Sequence, residues 1–441
     1  FVPVSADALQ IQIDGVIQAN NFTISGSTVT FDFTPNSGSV CNSVKHFGVG
    51  LLTTVSDGAI TEAKIGSGAV TSSKIASGVI PTSRPNAKNL VINSNMAVAQ
   101  RSTSVTGITS TGIYTVDRMS AVIDSIGTYT VAQESQTSGN AFDNGFANAW
   151  RIDCTTADAS PSASDQLQMQ YTFEGQDLQV FKKGTANAEK FTLAFWVKSN
   201  KTGTGNIQLK DKDNSNRQCT QSYTISSANT WEHKVCVFGA DTTGAFDDDN
   251  AKSLIINWWL GSGTDYSSGT ANHGVWEAQD NTKVNSGGTL NINDNTANDW
   301  SITGIQLEVG EYTSSTLPPF QHESFADNLF RCHRYYITQG TVGSIQDGYA
   351  GRSYSSSGLV WAVPLPKPLR ASPTVTLTGT LRAFGSSNTH DSTSALGVYS
   401  YANTNSNLIA LNSTGFSGLT NDRIYNVMPI NDCKIELEAE L

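Results

Sequence analysis

Apolar and polar side chains alternate every second residue in several segments of this chain, and no other feature limits its fold as strongly. The cleanest segment carries glutamine at 166, 168 and 170 between the apolar residues Leu167, Met169, Tyr171 and Phe173. Successive side chains of a β-strand point to opposite faces, so such a row indicates the buried side of a strand. Polar loops such as 211–216 and 241–250 separate these segments. Many short strands joined by turns predict an antiparallel β-sandwich, or jelly roll, over residues 86–320.

Three further rows predict strands of the same sandwich: Phe191, Leu193, Phe195 and Val197; Trp231, His233, Val235 and Val237; and Leu254, Ile256, Trp258 and Leu260. In the last segment the opposite face carries Asn257 and Trp259 and is less apolar. Glycan binding needs aromatic platforms beside amides on an open sheet face. Trp259 and Asn257 are candidates for such a site, with Tyr266 and Trp276 on a nearby Gly/Ser-rich loop. The alternative role of these aromatic residues is an interchain or interlayer contact.

Both ends of the chain also show strand patterns. Residues 1–48 predict a small β domain with two hairpins, because apolar rows flank the turn pairs Asp14-Gly15 and Gly26-Ser27. Phe1 already lies inside a strand-like pattern, so we expect the natural chain to begin upstream. Near the other end, the spacing of Phe325, Leu329, Cys332 and Tyr336 predicts a helix over 322–336. Strand-like runs follow it, and residues 321–441 are interpreted as a β-rich tip domain with one helix.

Residues 51–85 contain a ten-residue repeat, whose units read GAITEAKIGS, GAVTSSKIAS and GVIPTSRPNA. Each unit is too small to bury its own apolar residues, and exposing them costs about 25 cal/mol per Å². Identical chains wound together would bury them, so residues 49–85 are interpreted as the stalk of an intertwined trimer. A flexible Gly/Ser linker is the alternative, but it leaves the regular Ile and Lys positions unexplained.

Composition and motifs exclude several classes of protein. The net charge is −11 with no run of Lys or Arg, which argues against nucleic-acid binding. No apolar run approaches the ~18 residues that cross a bilayer, so no membrane insertion is expected. The six cysteines lack the spacing of a metal site, and we expect free thiols. The loop that begins at Asp211 lacks the glycine and glutamate of a calcium loop and is interpreted as a solvated loop. No catalytic motif is present, so we expect no catalytic residues, no cofactor and no metal.

The segment 301–336 closely resembles a signature of tail fibre proteins of tailed bacteriophages, which has a GxQLExG strand, a Pro-Phe pair and a helix that ends in CxRYY. The matching residues are Gly304, Gln306, Leu307, Glu308, Gly310, Pro319, Phe320, Cys332, Arg334, Tyr335 and Tyr336. Residues 364–379 are similar to the segment that follows in this family, and ELEAEL at 436–441 resembles its terminal strand. The signature is interpreted as structural, and Glu308 and Arg334 are expected to pair across the strand–helix junction.

The resemblance implies an all-β, elongated, homotrimeric fibre that is a virion component assembled in the host cytoplasm. Its function would be host recognition and adsorption through a cell-surface glycan or outer-membrane component. The N-terminal end is expected to meet other tail proteins and the C-terminal end the host, through loops near 352–357, 388–394 and 403–407. A tailspike enzyme that degrades polysaccharide, or a head or collar fibre without a receptor role, is the alternative function.

The repeat generates a prediction about oligomeric state. Light scattering of the soluble chain should give about three times 47.0 kDa, because only association buries the apolar positions of the repeat. A chain that stays monomeric at micromolar concentration would show that the repeat is a linker.

Overall fold

The computed structural model describes residues 6–19, 21–47, 60, 64–66, 89–340, 348–385, 389–392, 396–400 and 406–441. It divides into two compact units, residues 1–81 and 82–441. Most of the ten-residue repeat at 51–85 lies outside the described residues, so the stalk and the trimer stay predictions. The predicted contact loops at 388–394 and 403–407 also lie partly outside them.

The first unit contains two small antiparallel sheets. Its strands are β1 (Leu9–Ile13), β2 (Val16–Gln18), β3 (Phe22–Ser25), β4 (Thr28–Phe31) and β5 (Cys41–His46). The sheet orders are β2-β1-β5 and β3-β4. Asp14 and Gly15 have φ angles of 49° and 81°, the left-handed pair that a tight hairpin turn requires. Leu9, Ile11 and Phe22 form its small core, and the prediction of two hairpins is confirmed.

The second unit begins with two sheets packed face to face. Their strands are β6 (Ser104–Ile108), β7 (Ser120–Asp124), β8 (Thr128–Ser135), β9 (Asn148–Thr156), β10 (Gln166–Glu174), β11 (Phe191–Ser199), β12 (Gly203–Asp211), β13 (Arg217–Ile225), β14 (Glu232–Phe238), β15 (Lys252–Ser262) and β16 (Asp299–Val309). One sheet has the order β13-β12-β15-β10-β7 and the other β14-β11-β16-β9-β8-β6. A short helix, α1 (Asn140–Asp143), lies between β8 and β9. The predicted β-sandwich is confirmed.

Three of the four apolar rows face the core between the two sheets. The rows that begin at Leu167, Phe191 and Leu254 are buried throughout. The row predicted from Trp231 is wrong beyond its first residue, because His233 is exposed and the core-facing side chains of β14 are Cys236 and Phe238. A change of one residue in a strand's phase exchanges its two faces, which is the error made there.

The C-terminal part forms one eight-stranded sheet next to a helix. The elements are α2 (Phe325–Cys332), β17 (Tyr336–Gly340), β18 (Tyr349–Ser353), β19 (Leu359–Pro364), β20 (Thr374–Phe384), β21 (Thr389–Ser392), β22 (Leu396–Ser400), β23 (Leu408–Ser413) and β24 (Ile424–Glu438). The order is β21-β20-β24-β18-β19-β23-β22, and β17 also pairs with β24. Strand β24 is therefore a central strand, and its residues Ile435 and Leu437 are buried as predicted.

Helix α2 is shorter than predicted, and its predicted apolar row is buried or partly buried except at Phe325. Its N-cap is Ser324, whose hydroxyl accepts a hydrogen bond from the backbone N–H of Asp327 at 3.1 Å. Phe325 is 59% exposed, whereas Asn328 and Cys332 are buried. The buried amide of Asn328 bonds to Asn93 and Asn95 at 3.1 and 2.9 Å. The buried face of the helix thus begins with the hydrogen-bonded amide of Asn328, one turn after the exposed Phe325.

A buried arginine joins the sandwich to the C-terminal strand. Arg118 donates to the carboxylate of Glu440 and to the backbone carbonyl of Thr172, the latter at 2.7 Å. Its guanidinium lies 3.6 Å from the ring centroid of Tyr335 and 5.3 Å from that of Tyr171. The side chain is only 1% exposed, and that of Glu440 is 8% exposed. Most of the charge of this pair is therefore hidden from water.

The CHRYY segment supplies most of the remaining contacts at this junction. Arg334 donates two hydrogen bonds to the buried carboxylate of Glu174, at 2.7 and 2.6 Å. Tyr336 lies under the guanidinium of Arg101, 3.7 Å from it. The expected pair between Glu308 and Arg334 is wrong, because Glu308 instead accepts from the amide of Gln306 at 2.9 Å. Arg334 is turned toward β10, where it neutralises a carboxylate that would otherwise be buried alone.

The other signature residues also have structural contacts. Leu307 and Cys332 are buried. Gly310 has a φ of 110°, and its carbonyl accepts from the Thr192 hydroxyl at 2.7 Å. Gln306 donates a second bond to the carbonyl of Pro318 at 2.9 Å, which fixes the loop before α2. These contacts are the kind that the structural interpretation of the signature requires.

The buried ion pair generates a stability prediction. Glu440→Gln leaves the Arg118 charge buried without its partner and should lower the free energy of unfolding by about 3–5 kcal/mol. Glu438→Gln is the matched control, since its side chain is 50% exposed and contacts only the rim of the cluster; it should cost less than about 1 kcal/mol. Urea unfolding at one protein concentration measures both. Equal losses in the free energy of unfolding for the two variants would show that the buried Arg118–Glu440 pair stabilises the fold no more than an exposed pair does.

Asp117, in the same cluster, generates a pH prediction. Burial raises the pKa of its carboxyl from 3.8 to about 6, although Gln100 and Arg101 act in the opposite direction. Between these pH values the folded protein binds this proton and the unfolded chain does not. The stabilising contribution of Asp117 is therefore complete below pH 3.8 and is lost as the pH rises through about 6.

The test compares unfolding of the wild type and Asp117→Asn from pH 4 to 7. The asparagine cannot titrate, so the stability of the wild type relative to the variant should fall across this range. A difference that does not change with pH would contradict the assignment.

Candidate functional site

The five-stranded sheet has a polar outer face. On β12, Ile207 and Leu209 point into the core, so Gln208 and Lys210 point the opposite way. The same alternation places Gln168 and Gln170 of β10 on this outer face, together with Asn257 and Trp259 of β15. The sequence marks this face by the strand β10, whose first three outward-facing positions are all glutamine.

Side-chain amides form a continuous hydrogen-bonded row across this face. Gln170 donates to Asn257 at 2.9 Å, Asn257 donates to Gln208 at 3.0 Å, and Gln208 donates to Gln218 at 3.1 Å. Gln218 ends the row by donating to the backbone carbonyl of Asp280 at 2.9 Å. Each amide nitrogen carries two N–H groups, of which these bonds use one. These bonds hold the row rigid; Asn257, Gln208 and Gln218 are buried, and Gln170 is the member of the row that is partly exposed to a ligand.

Aromatic rings lie next to the amide row. The rings of Trp259 and Tyr266 are 5.0 Å apart at their centroids and tilted by 38°. Trp259 is only 2% exposed, whereas Tyr266 is partly exposed on the short turn Thr264–Tyr266. The ring available to a ligand is therefore that of Tyr266, with Trp259 as the layer beneath it. This corrects the prediction that Trp259 itself is the platform.

These residues enclose a cleft of about 200 Å³. Its lining residues are Val122, Gln166, Gln168, Gln170, Gln208, Lys210, Ile255, Asn257, Trp259, Tyr266 and Asn281. Three of the four predicted site residues, Asn257, Trp259 and Tyr266, thus lie together. The glutamines and Lys210 were missed, although the repeated glutamines of β10 were a usable signal.

Trp276 is not part of the cleft, and its prediction as a glycan-binding residue is wrong. It belongs to the core of the sandwich, where its ring lies 5.8 Å from that of Phe191. Its indole N–H donates to the backbone carbonyl of Gly239 at 2.8 Å. A ring buried in this way has no free face for a sugar.

The two ends of the cleft carry opposite charges. Burial, and then the neighbouring charge of Lys212, lower the pKa of Lys210. At the other end, burial and the nearby carboxylates of Asp124 and Asp265 raise the pKa of Tyr266. The distance between these ends can be read along β10. Asp124 lies opposite Gln166 of β10. Lys210 lies opposite Ile255, and Ile255 lies opposite Thr172 of β10. Six residues of β10 separate these positions, which corresponds to about 20 Å.

Two other depressions, each of about 400 Å³, lie elsewhere in the described part of the second unit. One is lined by Trp196, His233, Phe320 and His322 together with signature residues Gln306 and Pro319. The rings of Trp196 and His233 lie 5.0 Å apart there.

The other depression lies on the C-terminal sheet and is also about 400 Å³. It brings Arg352 and Tyr354, which belong to a predicted contact loop, next to Tyr399 and Asn412. Tyr354 and Tyr399 are 40% and 64% exposed. The hydroxyl of Tyr354 donates to Asn412 at 2.6 Å.

The loop that begins at Asp211 is anchored at that residue, whereas Lys212 and Ser215 are exposed, as expected of a solvated loop. Asp211 is fully buried, and the ammonium of Lys183 lies 2.5 Å from its carboxylate and 3.0 Å from that of Asp241. Lys183 also donates to the carbonyls of Thr243 and Gly244 at 3.0 and 2.8 Å. No cluster of metal-ligating side chains occurs within the described part of the chain.

Two further observations concern membranes and thiols. No helix in the described ranges is long and apolar enough to cross a bilayer. All six cysteines are free thiols, and every one except Cys41 is buried.

No family model matches the chain, and no curated protein matches it. Among solved structures, it is similar to the enzymatically active domain of tailspike protein 4 of bacteriophage CBA120, at 13% identity and a TM-score of 0.25, over 50% of this chain. The match spans only 21% of that tailspike chain.

Two carbohydrate-binding modules are also similar. The C-terminal family 22 module of Clostridium thermocellum Xyn10B matches at 12% identity and a TM-score of 0.25, over 45% of this chain and 90% of the module. A family 11 module from Clostridium thermocellum, in complex with a mixed-linked tetrasaccharide, matches at 11% identity and a TM-score of 0.24, over 44% and 91%. TM-scores this low assign neither a ligand nor a role to the chain.

Proposed function

We propose that this chain is a homotrimeric tail fibre protein of a tailed bacteriophage, which adsorbs to its host by binding a cell-surface glycan in the cleft of the five-stranded sheet. It is a structural component of the virion and not an enzyme. The single observation that carries the binding function is the amide row beside the Tyr266 and Trp259 rings.

The chemistry of this cleft fits a sugar. A sugar ring presents hydroxyl groups that donate and accept hydrogen bonds, and C–H faces that pack on aromatic rings. Gln170, Asn257 and Gln208 supply fixed amide groups, and Tyr266 supplies the ring. Pockets with a few fixed polar groups beside aromatic side chains are typical of small-ligand sites.

The fibre role is supported by the sequence. The signature at 301–336, the terminal ELEAEL segment and the ten-residue repeat occur together in this chain. A stalk that joins three chains presents three copies of the cleft to one cell surface. Simultaneous engagement then raises the overall affinity far above that of one weak site. The N-terminal end would attach to other tail proteins.

Two other functions remain distinct from this proposal. A tailspike enzyme would release sugar from host polysaccharide. A reducing-end assay after incubation with host capsule or lipopolysaccharide would detect that released sugar. A head or collar fibre would bind no cells, and density for the chain away from the tail in whole virions would identify it.

The adsorption test uses the soluble protein as a competitor of phage binding. Tyr266→Ala removes the exposed ring of the cleft and should weaken competition at least about tenfold, since a ring contact is worth about 1 kcal/mol at each of several linked sites. Phe325→Ala is the matched control, because it deletes a ring that is 59% exposed on α2. It should compete like the wild type.

A third variant separates the cleft from the depression on the C-terminal sheet. If Tyr354→Ala abolishes competition while Tyr266→Ala does not, the receptor binds at the C-terminal sheet and the cleft assignment is wrong. If the wild-type protein fails to compete at all, the adsorption role itself is wrong.

A further inference from the structure

Lys210 is a partly buried lysine without a counter-ion in the described structure. It faces the cleft from β12, opposite Ile255 on one neighbouring strand and Gln218 on the other. The nearest residue of β10 in the same row is Thr172. The charge that acts on it most strongly is that of another cation, Lys212. The residues beside Lys210 in its row of the sheet, Gln218, Ile255 and Thr172, are all uncharged.

Most lysines of the sandwich are ion-paired; Lys212 and Lys252 share the isolation of Lys210, but they do not line the cleft. Seven other lysines of the sandwich lie within 3.3 Å of a carboxylate oxygen: Lys182, Lys183, Lys190, Lys198, Lys201, Lys234 and Lys283. The chain has 38 acidic residues against 27 Lys and Arg. Carboxylates are thus abundant, yet none is placed beside Lys210. A partly buried charge without a partner is costly, and burial lowers the pKa of this lysine accordingly.

The charged groups are distributed unevenly along the cleft. Lys210 lies at one end of the cleft, and the carboxylates of Asp124 and Asp265 lie near Tyr266 at the other. The neutral amide row lies between them. An anionic group in the cleft is attracted to the Lys210 end and repelled from the Tyr266 end, so a charged ligand has only one favourable orientation.

We propose that the ligand of this cleft is an acidic glycan whose anionic group, a sugar carboxylate or phosphate, pairs with the ammonium of Lys210. Neighbouring hydroxyls bond to the amide row, and an uncharged sugar ring packs at Tyr266. This inference rests on the proposed function, because it names the class of glycan that the cleft takes. An anion at Lys210 would supply the counter-ion that the protein itself lacks.

The test uses the full chain on an immobilised glycan array. The array pairs polysaccharides rich in uronic acid with their carboxyl-reduced, neutral forms, and it includes polysaccharides linked by phosphodiesters. The wild type should bind acidic members at least about tenfold more tightly than reduced ones, and this preference should weaken as salt rises. The carboxylate and phosphate arms distinguish the two sources of charge.

Two variants locate the effect. Lys210→Met keeps the apolar stem of the side chain and should bind acidic members at least about tenfold more weakly, with neutral members unchanged. Lys190→Met is the matched control, because it removes the same charge outside the cleft. Lys190 is exposed, pairs with Glu311 and lies directly before β11, in the other sheet. It should bind like the wild type. Thermal unfolding verifies that both variants fold.

The outcomes separate the two proposals. The acidic preference is wrong if Lys210→Met binds acidic members as the wild type does, or if acidic and reduced members bind the wild type equally. Glycan binding in the cleft would still stand in that case if Tyr266→Ala no longer binds the glycans. If the wild type binds only neutral members, the inference is also overturned. If it binds no member, the acidic preference is wrong, and competition with phage for cells still decides the proposed function.

Discussion

The ion pair between Arg118 and Glu440 is the contact on which the architecture of the second unit depends. Arg118 adopts a φ of 73°, a backbone conformation that costs a non-glycine residue about 1–2 kcal/mol. The strain is maintained because the guanidinium is held between Glu440, the Thr172 carbonyl and the ring of Tyr335. Arg370 reinforces the junction by donating to the carbonyls of Ala439 and Glu440 at 2.9 and 3.0 Å. The sandwich and the C-terminal sheet are therefore one packed unit.

The same junction sets the position of the cleft. Thr172 and Glu174, which receive Arg118 and Arg334, lie on β10. The polar side chains Gln166, Gln168 and Gln170 lie on that strand too. One end of β10 is thus fixed by charged contacts, while its middle carries glutamines toward the cleft. A rigid strand is a better support for a fixed amide row than a loop, because its side chains cannot shift independently of the sheet.

Local periodicity predicts which side chains share a face, but it says little about which distant residues meet. The rows at Leu167, Phe191 and Leu254 were predicted because each is long enough to define its phase. Trp276 lies in a loop without a period, so periodicity could not decide between the glycan-binding role and the interlayer contact that it makes in the core. Arg118 and Glu440 are 322 residues apart, and no spacing rule relates them. The cleft needed side chains from four strands and two turns, and the sequence alone supplied only Asn257, Trp259 and Tyr266.

The central position of β24 has a consequence for how the chain is made. This strand pairs with β17, β18 and β20, yet it follows all of them in the sequence. During translation, the earlier strands leave the ribosome first, and their edges stay unpaired until β24 has been synthesised. Exposed strand edges of this kind readily pair with other chains. The chain is therefore most open to mispairing in the interval before β24 has been made.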